Sequence, residues 1–143
     1  MCRKQAPAYP FAPGPRTIST FPQGSGILNI GGNRVVIRKN TILGNGSFGI
    51  GTIGNFFSAF DPRLEPFVDD QEIRENVILK NGTDPDPLRL VTPGADILFV
   101  PDLIDPITGQ VVASDPDPGD NCFARNLFLT DFPADVVSAF PCP

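Results

Sequence analysis

The sequence predicts an all-β chain: a β-solenoid of about three stacked coils, interrupted by long loop insertions. Three observations carry this expectation. The stretch Ile37-Arg-Lys-Asn40-Thr-Ile42-Leu-Gly-Asn45-Gly46 returns as Ile73-Arg-Glu-Asn76-Val-Ile78-Leu-Lys-Asn81-Gly82, with seven of the ten positions identical. A looser third copy runs Phe123-Ala-Arg-Asn126-Leu-Phe128-Leu-Thr-Asp131-Phe132. A second segment, Gly26-Ile27-Leu28-Asn29-Ile30, returns after 23 residues as Gly49-Ile50-Gly51-Thr52-Ile53, and after 45 more as Gly94-Ala95-Asp96-Ile97-Leu98. Repeats of this length stack like residues on like. A helix is excluded by the glycines at 44, 46, 49, 51 and 54, each of which would cost about 1 kcal/mol in a helix interior.

Taken in chain order, residues 1–25 read as an extended, Pro-rich arm with five prolines and little periodicity. Residues 26–143 form the coils and a closing tail. Arg34-Val-Val-Ile37 and Thr41-Ile-Leu43 read as short strands. Their inward residues are expected to form the columns Ile37/Ile73/Phe123, Ile42/Ile78/Phe128 and Ile30/Ile53/Leu98. The 45-residue interval is then one 23-residue coil carrying insertions. The two longest loops, about 54–69 and 99–121, fall at the same corner and should lie on one side, the side solenoids often use for binding.

The columns Asn40/Asn76/Asn126 and Asn45/Asn81/Asp131 fall at the turns between strands. Asparagine tolerates the left-handed backbone of a tight corner. Its amide can also donate and accept along a ladder about 4.8 Å per step. Asn45-Gly-Ser47 and Asn81-Gly-Thr83 are also N-glycosylation sequons, but asparagines committed to a ladder are poorly accessible.

Composition narrows the function classes. With 143 residues the chain fits one domain, and 41% apolar content is too high for disorder despite 17 Pro and 14 Gly. A net charge of −5 argues against nucleic acid, which needs clustered Lys and Arg. The absence of histidine removes Ser-His-Asp and Cys-His pairs and His-based zinc sites. No apolar run is long enough to span a membrane, and prolines at 7, 10, 13 and 15 break any signal-peptide core.

The pattern apolar-x-x-Asn-x-apolar-x-x-Asn-Gly, followed by Gly-Ile, resembles the right-handed parallel β-helix repeats of the pectin-lyase-like superfamily, over about residues 26–132. The resemblance implies a right-handed parallel β-helix and an extracellular or cell-surface location. In such chains a cysteine beside the last coil commonly has a partner near the chain end, which implies a Cys122–Cys142 disulfide; Cys2 is then free or paired outside this chain. One solenoid of this kind hosts lyases, epimerases, adhesins and inactive relatives, so the fold is nearly silent on activity.

We expect a non-catalytic surface or secreted module binding a polysaccharide or protein through its insertions. The alternatives are a carbohydrate-active enzyme (lyase or epimerase) or its remnant, and a purely structural repeat. No catalytic set is assigned. Lyases of this superfamily use Lys, Arg or another base, often with calcium. Asp61-Pro62-Arg63 faintly resembles an Asp-Pro-His segment of alginate epimerases, with Arg in place of His. Asp115, Asp117 and Asp120 offer hard oxygen ligands for calcium, although Gly119 stands one place short of its EF-hand position. The competing reading is a plain acidic loop. Three coils are near the minimum for a solenoid, so the chain is further expected to be the C-terminal portion of a longer solenoid or its reduced descendant.

Overall fold

The structure is a computed structural model and describes residues 22, 24–59, 61–86, 93–105 and 110–143. Its strands are β1 (Ser25–Ile30), β2 (Val36–Arg38), β3 (Thr41–Leu43), β4 (Phe48–Ile53), β5 (Glu72–Arg74), β6 (Val77–Leu79), β7 (Ala95–Val100), β8 (Leu103–Ile104), β9 (Val111–Ala113), β10 (Cys122–Ala124) and β11 (Asp131–Phe132). A one-turn helix, α1 (Val136–Ala139), follows, and 3-10 turns occupy Phe56–Ala59 and Pro118–Asp120. The chain is mostly strand with little helix.

Three parallel sheets carry the architecture: β1-β4-β7-β11, β2-β5-β10 and β3-β6, the last extended by a bridge from Val77 to Leu127. Sequence repeats meet in register. Ile37 lies beside Ile73 and Ile73 beside Phe123; Ile42 lies beside Ile78. Because strand side chains alternate, these residues point inward while their neighbours point out. Ile37, Ile42, Ile50, Ile73, Ile78, Ile97, Phe99, Phe123 and Val136 form one buried cluster, against which Phe128 packs. Each such side chain contributes roughly 1.5–3 kcal/mol through burial.

Within the first sheet the expected column is corrected. Ile53 pairs with Ile30 and Val100, while Leu98 pairs with Gly51. The inward column is Ile27/Ile50/Ile97, so the third copy follows the second by 47 residues rather than 45. The cause is local. Gly94 does not occupy the position of Gly26 and Gly49; a Cβ there would meet the Gly82 backbone. Asp96 stands at that position instead. Ile53 and Leu98 belong to a second cluster with Phe48 and Ile104, on the opposite side of the sheet.

The asparagine ladders lie between the strands. Asn76 Oδ1 accepts from the backbone and side-chain nitrogens of Asn40 at 3.0 and 3.1 Å. Asn126 Oδ1 accepts the same pair from Asn76 at 3.1 and 3.0 Å. In the second ladder Asn81 Oδ1 receives both nitrogens of Asn45 at 2.9 Å. Its third rung is Asp96, not Asp131: Asp96 Oδ1 accepts from Asn81 N and Nδ2, each at 2.9 Å. Asp96 Oδ2 takes the amides of Leu129 and Thr130. Asp131 instead accepts from the Asp135 and Val137 amides at the start of the closing helix.

The reason for asparagine at these corners also changes. The left-handed backbone falls on the preceding residue: Lys39, Glu75 and Arg125 ahead of the first ladder, Gly44 and Lys80 ahead of the second. Asparagine is needed there for its amide, not for its tolerance of positive φ.

Most of the arm, residues 1–21 and 23, lies outside the described residues. Pairing begins at Ser25, opposite Phe48, one residue before the expected boundary. The second long insertion is also shorter than expected, because Phe99 and Val100 belong to β7; within it β8 and β9 form an antiparallel pair. Close stacking limits substitution at Gly49, where a Cβ would meet Ile78 Cγ2 and the Asp96 carbonyl. Gly49→Ala is expected to destabilise by about 1–3 kcal/mol through overpacking, read as a lower urea midpoint with unchanged slope.

Candidate functional site

The outer face of the β2-β5-β10 sheet carries a groove of about 750 Å³. Glu72 and Arg74 flank inward Ile73, and Cys122 and Ala124 flank inward Phe123, so all four face out. One wall is formed by Asp70 and Asp120, at the ends of the two long insertions, and Arg125 lines the groove at the far end of β10. The other is the C-terminal tail. Phe123 N donates to Phe140 O at 2.8 Å and Cys142 N donates to Phe123 O at 3.2 Å, adding Pro141 to the sheet edge. A disulfide joins Cys122 to Cys142 and fastens the tail in that position.

Arginines give the groove its chemistry. Arg74 Nη1 lies 2.8 Å from Glu72 Oε1, while its Nε–H is buried without an acceptor among the described residues. Arg125 pairs with Glu75 at 2.6 Å, and Lys39 reaches the other Glu75 oxygen at 3.8 Å. The three stacked turns therefore alternate cation, anion, cation. As exposed pairs they contribute about 0–1 kcal/mol each; they orient Arg125 more than they stabilise the fold.

The two insertions meet. Asn121 Nδ2 donates to Val68 O at 2.7 Å, and its Oδ1 accepts from Gln71 N at 3.3 Å. Gly54 lies so close to Asp102 that a Cβ would strike its carbonyl. Asp115 N donates to Asp102 Oδ1 at 2.9 Å. Sequence reasoning missed the role of Asn121, which is buried and repeats at this corner the amide bridging of the ladders. Its signal was available, since Gln71 and Asn121 each directly precede a β5- or β10-type segment.

The candidate ligand residues are placed as follows. Asp115 Oδ1 accepts from Asp117 N at 3.0 Å, closing a local turn. Asp120 faces the groove. The structure does not bring Asp115, Asp117 and Asp120 into a metal-holding group, and among the described residues no such cluster exists. Asp61 is bound through both oxygens by the Arg63 guanidinium, which holds its carboxyl below the usual range. It is a solvated, paired carboxylate and a poor base. The sequon asparagines Asn45 and Asn81 are only 4% and 6% exposed and are bound in the ladder. Expression through a secretory route is accordingly expected to leave both unglycosylated, by intact-mass measurement.

Family models, curated proteins and solved structures contain no match to this chain. The groove's chemistry therefore rests on its own residues.

Partial burial raises the Asp69 carboxyl pKa, helped by the negative charges of Asp115, Asp120, Asp70 and Glu65. A carboxyl whose folded pKa lies above its unfolded value favours folding when protonated. Its ionisation therefore costs stability as pH rises from 3.8 through the raised value. Asp69→Asn is expected to raise Tm at pH 7 and to lose that advantage at pH 3. An equal shift at both values would refute this origin.

Proposed function

We propose that this chain is a right-handed parallel β-helix of three coils serving as a non-catalytic binding module, outside the cell or at its surface. Its ligand is an extended polysaccharide held along the outer face of the β2-β5-β10 sheet. The register of Ile37, Ile73 and Phe123, and the ladders one step apart, support the helical winding. The disulfide is compatible with an oxidising compartment.

One observation carries the functional reading. The insertion ends and the sealed tail wall a groove lined by Arg74, whose buried Nε–H has no acceptor among the described residues. A buried donor left unmet costs free energy, and a ligand oxygen that draws the partly exposed Arg74 guanidinium toward the groove relieves that cost. Arg125 and the carboxylates of Asp70, Glu72 and Asp120 supply further donors and acceptors, which suits hydroxyl-rich and carboxylate-bearing sugars.

Calorimetric titration with a panel of neutral and acidic polysaccharides tests the proposal. Binding by the wild type, weakened at least about tenfold in Arg74→Ala, is the expected result. Absence of binding across the panel leaves a structural repeat as the answer. New ultraviolet absorbance from unsaturated uronates would replace the binding module with a lyase.

A further inference from the structure

The outer face of the β3-β6 sheet differs in kind from the groove face. Its outward residues are Thr41 and Leu43 on β3, Val77 and Leu79 on β6, and Leu127 with Leu129 on the bridged segment beside it. None is charged. The outward positions of the neighbouring sheet, in contrast, include Arg38, Glu72 and Arg74. Leu43, Leu127 and Leu129 are 46%, 56% and 71% exposed. The inward residues Ile42, Ile78 and Phe128 already supply the core, so among the described residues the core does not draw on the outer leucines.

We propose that this face docks a second copy of the chain, sheet to sheet, about a two-fold axis parallel to the direction in which the strands stack. Charge decides the occupant. The turns leading into these strands present Lys39, Glu75 and Arg125, level by level. The turn leaving β6 presents Lys80 at the level of Glu75; at the level of Arg125, Asp131 opens β11 and Asp135, the N-cap of α1, lies against it. The stated axis preserves level and reverses strand direction. Glu75 then faces the second copy's Lys80, and Arg125 faces its Asp131 and Asp135. An axis along the strands would instead lay entering turns over entering turns.

Area sets the strength. The apolar strip is on the order of 400 Å², within the range of a monomer's largest patch, which is often functional, and about half of the ~800 Å² per partner in a standard interface. The flanking turns must supply the remainder, so the dimer is reversible and sensitive to salt. This association uses a different sheet from the groove, and Arg125, at the turn between the two sheets, is common to both.

Sedimentation velocity of the full chain over a concentration series, from about 1 to 500 μM and at low and high salt, tests the proposal. A concentration-dependent dimer that weakens with salt is expected. Leu129→Glu should raise its Kd at least about tenfold, with Tm unchanged as the control for folding. Arg125→Glu and Asp135→Lys should each weaken it about 3–10-fold, and the double variant should recover most of that loss. Arg125→Glu keeps a residue type that Glu75 already carries in the same backbone conformation. A monomer at every concentration overturns the proposal, as does a dimer indifferent to Leu129→Glu. Failure of the charge swap to restore association overturns the stated axis. Binding of the monomer to anionic vesicles through the same leucines would assign the face to lipid instead.

Discussion

Asn76→Ala is expected to cost about 3–5 kcal/mol, the largest effect of any single polar substitution in the ladders. Asn76 is 1% exposed and bonds on both sides. Its Oδ1 accepts two nitrogens of Asn40, and its Nδ2 donates to Ile37 O at 2.9 Å and to Asn126 Oδ1 at 3.0 Å. Alanine leaves the Asn40 amide and the Ile37 carbonyl without these partners in a confined turn. Each unmet backbone group costs about 1–3 kcal/mol. Asn40→Ala removes only the outermost rung, whose Nδ2 turns to its own Arg38 carbonyl; it should cost about 1 kcal/mol. Urea unfolding of the two variants provides the comparison. Equal losses would mean that the ladder does not work by bridging levels.

Removing the Cys122–Cys142 bridge with paired serines is expected to cost about 3 kcal/mol, given the short loop it closes. The loss is not confined to chain entropy. The tail carries Val136, buried in the main cluster, and Phe140, whose ring lies 5.4 Å from Phe99. Phe99 in turn meets Phe123 edge-on at 5.4 Å. If the tail frays, this aromatic group opens to water and the groove loses one wall. Hydrogen exchange at Phe123 and Cys142 amides should accelerate most, since both bonds hold the tail to β10. Reductant should lower the Tm of the wild type to that of the variant. An unchanged Tm on reduction would show that the packed helix alone holds the tail.

The two kinds of repeat in this chain differ in how plainly they can be read. Ile37, Asn40 and Ile42 recur because core depth and ladder geometry tolerate few other side chains, so their alignment with Ile73, Asn76 and Ile78 is visible as identity. The Gly26 and Gly49 position is not so constrained at the third level, where Asp96 occupies it and sends its carboxylate into the ladder. Matching glycine to glycine therefore chose Gly94, two residues early. Asp131 was misplaced for the same reason: by sequence spacing it is the third rung, but Asp96 already fills that slot. The groove was the least legible feature. Its residues are outward positions with no periodic signature, and two of its walls come from insertions and from a tail brought back by a disulfide.

The carboxylate of Asp96 also gives the second ladder a direction. An asparagine amide receives at its oxygen and passes on at its nitrogen, so it can be repeated indefinitely. A carboxylate only receives, and Asp96 receives on both oxygens. It is a chemical full stop, written at the third level. A designer lengthening this protein could graft a further repeat beyond Asn45, where an amide still heads the chain of bonds. Growth past Asp96 would first require restoring asparagine there and finding new acceptors for the amide N–H groups of Leu129 and Thr130.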